Sequence, residues 1–162
     1  MMHDHPIALG EVDRAPPSDM VFLPVRSTDT PLRGLGDLLD WRLGGRLADA
    51  QHSGFFRGEL GEVCCVLGLP KIPFRSVCLV GLGESPSAAH FEHALTEIRA
   101  RCGSLRLTSA HIDFSRCESA TVLAPTSVAE SDAATRAMEQ WLFGDTTAVL
   151  PRSFSWHIWR SV

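Results

Sequence analysis

The chain has 162 residues, of which 44% are apolar and 21% are charged. These proportions are those of a globular domain and exclude a disordered, collagen-like or disulfide-scaffold sequence. The formal net charge is −4 and the arginines are scattered among acids, which argues against a nucleic acid partner because DNA-binding domains usually carry a basic stripe.

The N-terminus lacks the features of a secretory signal. Residues 1–6, Met-Met-His-Asp-His-Pro, contain no charged segment followed by an apolar one, and no apolar run reaches the ~18 residues that a membrane helix needs. We therefore predict a cytoplasmic protein with no membrane partner. Residues 1–5 are expected to form a mobile tail. No repeat or linker divides the chain, so residues 1–162 are predicted to form a single domain.

The first predicted elements are a strand at 20–25 and a helix at about 31–50. Leucines at intervals of three and four give the helix one buried stripe, formed by Leu32, Leu35, Leu39, Leu43 and Leu47. Four glycines, each costing roughly 1 kcal/mol against alanine in a helix interior, weaken this helix. They are Gly34, Gly36, Gly44 and Gly45.

Two apolar strands, at 62–67 and 76–82, follow this helix. Both are apolar on both faces, which predicts positions in the middle of a sheet that helices cover on both sides. A helix is predicted at 86–102, with Ser85 as its cap and Pro86 in its first turn. Its apolar stripe consists of Ala88, Phe91, Leu95, Ile98 and Cys102.

The remaining predicted elements are strands at 119–124 and 146–150, a helix at 131–143 and a C-terminal strand. In that last strand Phe154, Trp156 and Ile158 alternate with Ser155, His157 and Trp159, the pattern of a half-buried strand. We expect it at a sheet edge. The alternation of strands and helices predicts an α/β fold of three layers, with a mixed, mostly parallel sheet flanked by helices.

The five cysteines are Cys64, Cys65, Cys78, Cys102 and Cys117. Their number is odd, and three of them lie within apolar runs. We interpret them as reduced, buried residues of a cytoplasmic protein. The absence of a Cys-x-x-Cys pair from the sequence argues against zinc binding or redox work.

Several segments resemble the N-terminal domain of the di-zinc leucine aminopeptidases. The similar segments are the leucine- and glycine-rich helix from position 31, Ser53-Gly54-Phe55-Phe56, the strand Val77-Cys78-Leu79-Val80-Gly81-Leu82-Gly83, and Trp141-Leu142-Phe143-Gly144. Together the resemblance covers about 130 residues. It implies the fold of that domain, a mixed sheet between helices that is similar to the macro domain.

The catalytic half of that family has no counterpart in the sequence. It carries an Asn-Thr-Asp-Ala-Glu-Gly-Arg stretch, a metal-binding lysine and further aspartates, which bind two metals and activate water. Here the one lysine, Lys71, lies in a Leu-Pro-Lys-Ile-Pro loop. We therefore predict no aminopeptidase activity for this chain alone, with no catalytic residue, metal site or cofactor.

A ligand site is considered at the turn Gly81-Leu82-Gly83-Glu84-Ser85-Pro86. Backbone N–H groups at the start of a helix can hold a phosphate, so Gly81, Gly83 and Ser85 are candidate ligand-binding residues. A dinucleotide motif would need a third glycine where Pro86 stands, and Glu84 would repel an anion. The alternative is a tight structural turn.

The histidines offer weaker candidates. One helix face could in principle hold a metal, but its position opposite the apolar stripe predicts a solvated face; it consists of His90, His93 and Glu97. His111, two residues before Asp113, would need a nearby nucleophile such as Ser109 or Cys117 for triad chemistry. The pair His3 and His5 in the tail is not expected to be a site.

Three tryptophans are candidate interaction residues. Trp41 lies opposite the leucine stripe, and Trp156 and Trp159 point to opposite faces of the last strand. A chain without the covering half of the family exposes apolar area, and such areas mark interaction sites. The alternative is that both C-terminal tryptophans belong to the core.

Two functional hypotheses remain open at this point. The first is a non-catalytic interaction or regulatory module with a protein partner or self-association, through the C-terminal strand edge or the Trp41 surface. The second is a macro-like small-molecule binder for ADP-ribose or a nucleotide, with walls at 81–86 and 53–58. The second rests on fold analogy, which is weak evidence for function.

Overall fold

The structure, a computed structural model, describes residues 8–68, 70–113 and 154–159. Four helices and five strands are described in these ranges. In chain order they are α1 (Leu9–Arg14), β1 (Ser18–Arg26), α2 (Leu35–Arg42), α3 (Arg46–His52), β2 (Val63–Leu67), β3 (Phe74–Gly83), α4 (Ala88–Ser104), β4 (Ser109–Asp113) and β5 (Ser155–Trp159).

The five strands form one mixed sheet in the order β2-β3-β1-β4-β5. β1 is parallel to β3 and to β4, β4 is parallel to β5, and only β2 runs antiparallel to its neighbour β3. The predicted mixed, mostly parallel sheet is therefore confirmed. The C-terminal strand lies at an edge of the described sheet, as predicted.

Helices cover both faces of the sheet. Because alternate strand residues point to opposite faces, each face has its own set of core residues. On one face α4 packs its stripe of Phe91, Leu95, Ile98 and Cys102 against residues such as Phe22, Cys78 and Ile112. On the other face lie Val12 of α1 and the leucines of α2 and α3, packed against residues such as Leu23, Leu79 and Trp159. The three-layer α/β prediction is confirmed.

The predicted single helix at 31–50 is wrong. The chain breaks into α2 and α3 at Gly44 and Gly45, whose φ angles of +67° and +86° lie in the left-handed region that glycine enters at no steric cost. The Oδ1 of Asp40 accepts hydrogen bonds from the N–H groups of Leu47 and Ala48, at 2.7 and 3.1 Å, and so caps the start of α3. All five leucines of the predicted stripe are nevertheless buried.

The start of α4 also differs from the prediction. The N-cap is Ser87, whose side chain accepts a hydrogen bond from the N–H of His90 at 3.3 Å, and not Ser85. Pro86 therefore precedes the helix instead of occupying its first turn. The helix continues to Ser104, two residues beyond the predicted end.

The position of β2 corrects a third prediction. β2 is an edge strand of the described sheet, with Cys65 exposed and Leu67 72% exposed, although its five apolar residues predicted a strand in the middle of the sheet. β3 is central, as predicted. α1 and β4 were not predicted, because α1 is only six residues long and β4 mixes polar and apolar residues.

The remaining predicted elements, at 119–124, 131–143 and 146–150, lie outside the described residues, as does the tail at 1–5. Within the described residues, no helix has the length and apolar character that crossing a membrane requires.

Candidate functional site

The carboxyl ends of β1 and β3 form the region where a ligand is expected, because ligands of open α/β sheets bind outside the carboxyl ends of the strands. The connection after β1 leads to α2 and α3 on one face of the sheet, and the connection after β3 leads to α4 on the other. The predicted ligand turn at 81–86 lies at this divergence. The crossing loop, which we define as residues 56–62, packs against it.

The glycines of this turn are engaged within the protein. The N–H of Gly81 donates to the carbonyl of Glu62 at 2.8 Å, and the N–H of Gly83 donates to the carbonyl of Gly58 at 2.8 Å. The carbonyl of Gly83 accepts from the N–H of Ser27 at 3.1 Å. These bonds favour the structural interpretation of the turn, since both glycine N–H groups already donate to carbonyls of the protein. Ser85, the third predicted residue, is exposed.

The crossing loop is itself held by one carboxylate. The Oε2 of Glu62 accepts hydrogen bonds from the N–H groups of Arg57 and Glu59, at 2.8 and 3.0 Å. Gly58 has a φ of +77° and lies against the backbone of Arg26. The loop is therefore fixed by its own bonds and by its contact with the end of β1.

Hydrogen bonds also hold the loop that follows β1 in place. The Oδ2 of Asp29 accepts from the N–H of Arg26 at 3.1 Å, and the N–H of Asp29 donates back to the carbonyl of Arg26 at 3.0 Å. The side-chain amide of Gln51 donates to the carbonyl of Asp29 at 2.9 Å. The loop after β1 is therefore fixed onto α3, and this end of the sheet is shaped by internal hydrogen bonds.

Trp41 lies on the exposed side of α2, as predicted. Its side chain is 67% exposed, while Leu35 and Leu39 on the other side of the helix are buried. The guanidinium carbon of Arg42 lies 5.2 Å from the centroid of the Trp41 ring, within the range of a cation–π interaction. Arg42 also forms an ion pair with Asp13 of α1.

Trp159 is in the core, so the core alternative holds for this residue and it adds nothing to an exposed surface. Its side chain is fully buried, and its indole N–H donates to the Nδ1 of His111 at 2.8 Å. Trp41 and Trp159 therefore do not form one surface. The side chain of Trp156 is outside the described part of the structure.

The hydrogen bond from Trp159 also determines the tautomer of His111. An indole nitrogen only donates, so Nδ1 of His111 is the acceptor and Nε2 carries the proton. Nε2 lies 3.1 Å from the carbonyl of Pro16, to which it donates. The ring of His157 stacks on His111 at a centroid distance of 4.3 Å. His111 is buried and holds β4, β5 and the segment before β1 together. The hydroxyl of Ser109, the nucleophile considered for triad chemistry, accepts a hydrogen bond from the N–H of Asp19 at 3.3 Å.

The histidine face of α4 is partly in solvent. His93 is exposed, and His90 and Glu97 are half-buried. Among the residues that the structure describes, no group of three or more histidine, cysteine or acidic side chains is arranged to hold a metal ion.

An open cleft of about 490 Å³ lies at the opposite end of the sheet, where β1, β3 and β4 begin. Asp19 in this cleft accepts hydrogen bonds through Oδ2 from the N–H and the hydroxyl of Thr108, at 2.8 and 2.9 Å. The backbone N–H of Thr108 is the main reason that the pKa of Asp19 lies below its usual value of 3.8, with partial burial opposing the shift. No local sequence signal marks this site, because Asp19 and Thr108 are 89 residues apart.

The cleft carboxylate leads to a pH-dependent prediction. A folded-state pKa below the unfolded value means that Asp19 stabilises the fold above pH ~4 and that this contribution is lost as the pH falls toward the folded pKa. We expect Asp19→Asn to lower the free energy of unfolding by about 1 kcal/mol at pH 6 and to have a shrinking effect below pH ~4. Urea unfolding from pH ~3 to pH ~6 measures this.

The control for this change is Glu92→Gln on the exposed face of α4, where the side chain lies in solvent. This variant should show the same dependence of unfolding free energy on pH as the wild type. A constant difference between wild type and Asp19→Asn over the whole pH range would contradict the role of the charge.

The chain matches a known protein family and solved structures. Residues 21–144 match the model of the cytosol aminopeptidase family, N-terminal domain. A mutant of tomato leucine aminopeptidase superimposes on 99% of the chain, with 16% identity and a TM-score of 0.62, and the matched part is 32% of the tomato chain. No curated protein sequence gives a significant match.

Macrodomains share the same fold. The macrodomain of Thermus aquaticus DarG has 12% identity and a TM-score of 0.60, over 100% of this chain and 98% of its own. The macrodomain of Trypanosoma brucei in complex with ADP-ribose has 17% identity and a TM-score of 0.56, over 98% of this chain and 62% of its own. At these identities the likeness extends to the fold alone.

Proposed function

The chain belongs to the cytosol aminopeptidase family, whose N-terminal domain it contains, and we propose that it is a non-catalytic interaction module that self-associates in the cytoplasm. The catalytic part of the family is not among these 162 residues, which span about a third of the tomato aminopeptidase. The observation that supports the proposal is the exposed Trp41.

Covering Trp41 would contribute substantially to the free energy of association. A tryptophan or other large aromatic side chain buries roughly 150–250 Å², so covering the exposed two-thirds of the indole would contribute about 3 kcal/mol at ~25 cal/mol per Å². Tryptophan and arginine are also the residues most enriched among those that dominate the binding energy of interfaces. The neighbouring Arg42 is held in place by the Trp41 ring and by Asp13.

The charges around Trp41 suit a second copy of the chain. The exposed Asp37 lies four residues before Trp41, on the same face of α2, and Arg42 follows it. A two-fold interface places the same patch on both subunits, so a residue of one copy that contacts a second residue of the other copy does so twice, once in each direction. Such a contact brings Asp37 of one copy near Arg42 of the other while the indoles are covered.

The expected result is that the molar mass of the wild type rises with concentration and that Trp41→Ser weakens this association by at least about 30-fold, or about 2 kcal/mol. Sedimentation velocity over a wide range of concentrations measures both quantities. Phe55→Ser removes an aromatic side chain outside α2 that is 79% exposed, more than Trp41, and the variant should associate as the wild type does. A wild type that stays monomeric at high concentration would overturn the proposal, as would an equal effect of both changes.

A second candidate function is a macro-like binder of ADP-ribose or a nucleotide. One observation favours it: the fold is that of macrodomains, and the T. brucei neighbour was determined in complex with ADP-ribose. The bonded N–H groups of Gly81 and Gly83 count against the predicted residues Gly81, Gly83 and Ser85 as an anion site. Calorimetric titration with ADP-ribose distinguishes the two functions, since saturable one-site binding at micromolar Kd, about −8 kcal/mol, would favour this candidate.

A further inference from the structure

Two cysteines of the sheet lie in contact with one another. Cys65 on β2 is directly opposite Cys78 on β3 in the antiparallel register, and the two Sγ atoms are 2.9 Å apart. Both are free thiols in the structure. The predicted burial of the cysteines is confirmed for Cys64, Cys78 and Cys102 but is wrong for Cys65, which is exposed on the edge strand.

The pairing pattern of β2 and β3 places this pair at a spacing that a disulfide can span. The N–H of Gly81 bonds to the carbonyl of Glu62, and the N–H of Gly68 bonds to the carbonyl of Arg75. Hydrogen-bonded and non-hydrogen-bonded pairs alternate along an antiparallel ladder, so the pair Cys65 and Cys78 is of the non-hydrogen-bonded kind. In such pairs the Cα atoms are about 4.5 Å apart, within the range of natural disulfides.

The two thiols differ in reactivity in a way that suits a pair with one attacking and one resolving sulfur. Their mutual hydrogen bond lowers the pKa of Cys65 to about 7, against burial and with help from the Arg101 guanidinium on α4. The same bond, together with burial, raises the pKa of Cys78. The thiolate is the nucleophilic form of cysteine. At neutral pH a large fraction of the exposed Cys65 is therefore in the reactive thiolate form, while Cys78 stays protonated in the core beside it.

Neighbouring cysteines do not share this arrangement. Cys64 is the next residue on β2, but its side chain lies in the core on the other face of the sheet, opposite Leu79. Cys102 is buried in α4, and burial raises its pKa to about 12. Within the described residues, only Cys65 combines exposure with a second thiol at contact distance.

We propose that Cys65 and Cys78 form a redox-sensitive dithiol, with a peroxide as the oxidant. The Cys65 thiolate attacks one peroxide oxygen and becomes a sulfenic acid, while the O–O bond breaks and the other oxygen leaves as an alkoxide or hydroxide. Cys78 then attacks the sulfenic sulfur. The S–S bond forms, the S–O bond breaks, the departing hydroxyl takes the Cys78 proton, and water is released. The two thiols have lost two electrons and the peroxide has gained them.

The resulting disulfide would tie the edge strand β2 to the central strand β3. A cross-link restricts the unfolded chain and therefore stabilises the folded state. The oxidised protein should unfold at a higher temperature than the reduced protein. The site is independent of the Trp41 surface, because it lies on β2 and β3 and not on α2.

The test treats the reduced wild-type protein with hydrogen peroxide at neutral pH, followed by alkylation, proteolysis and mass spectrometry. The expected product is a peptide pair joined through Cys65 and Cys78, with a loss of two hydrogens and a higher Tm. Cys65→Ser should give no such pair. Cys102→Ser is the matched control, since it removes a buried thiol outside the pair and should leave the cross-link intact.

A second variant keeps the test informative if a change at the buried Cys78 disturbs folding. Cys78→Ala should leave Cys65 as a sulfenic acid that dimedone traps, and the exposed Cys65→Ser should fold as the wild type does. In the wild type, the alkylation rate of Cys65 should rise with pH with a midpoint at the pKa of this thiol, about 7. Oxidation that links Cys65 to Cys64 or Cys117 would overturn the proposal, as would a reduced pair that peroxide leaves unchanged.

Discussion

Replacing Gly81 with alanine should destabilise the protein by about 4 kcal/mol or more, a loss at the upper end of what single substitutions cause. A Cβ at this position would lie 1.8 Å from the carbonyl oxygen of Glu59 and 2.9 Å from the carbonyl carbon of Gly58. Both contacts are with backbone, which cannot rotate away as a side chain can. The crossing loop would have to move.

That movement breaks more than one contact. The crossing loop is bound to β3 by the hydrogen bonds from Gly81 to Glu62 and from Gly83 to Gly58, and each has a net value of about 1 kcal/mol. Gly58 lies so close to β1 that a Cβ on it would be 2.9 Å from the backbone of Arg26, so the loop has no room to shift toward that strand. The loss is a large part of the roughly 5–15 kcal/mol that typically stabilises a domain.

The matched control is Gly103→Ala in the last turn of α4. A Cβ there would meet no atom within 4 Å, and alanine restricts the unfolded chain and favours helix, so the change should be neutral or stabilising by up to about 1 kcal/mol. Urea unfolding of both variants measures the two effects. An equal change in the free energy of unfolding for the two substitutions would show that the close approach of the crossing loop to Gly81 does not affect stability.

Local periodicity predicted the parts of the fold that depend on neighbours along the chain. The leucine stripe from Leu32 to Leu47 and the stripe of Phe91, Leu95 and Ile98 are buried as predicted, because spacing alone decides which side of a helix is apolar. The break between α2 and α3 was missed. Gly44 and Gly45 signalled a weakened helix, but the left-handed φ angles that end it depend on the packing of both pieces.

The contacts that shape the candidate sites lie between residues far apart in sequence. Cys65 and Cys78 meet through a strand register, and Trp159 meets His111 across 48 residues. Register depends on the whole sheet, and the edge position of β2 could not be predicted from its five apolar residues. The exposure of Trp41 was predicted correctly, because it follows from the position of this residue opposite the leucines of its own helix.

Trp159→Ala should be the most damaging change in the C-terminal strand, with a loss of about 3–5 kcal/mol in the free energy of unfolding. Truncation of a buried tryptophan removes its contacts and leaves a cavity, and Trp159 is fully buried beside α1 and the helix leucines. The hydrogen bond from its indole to His111 is lost as well. Since β5 lies at the edge of the described sheet and pairs there with β4, loss of this anchor should loosen β5 first.

Trp159→Phe separates the hydrogen bond from the packing. Phenylalanine keeps most of the apolar volume but cannot donate to the Nδ1 of His111, so we expect a smaller loss of about 1–3 kcal/mol. Trp41→Ala serves as the control at a protein concentration at which the chain is monomeric, because truncating a tryptophan that is exposed in the monomer should change the free energy of unfolding by no more than about 0.5 kcal/mol. Urea unfolding should therefore show the largest loss for Trp159→Ala, a smaller loss for Trp159→Phe and the smallest for Trp41→Ala. A Trp159→Ala protein as stable as Trp41→Ala would mean that β5 does not depend on this side chain for its place in the sheet.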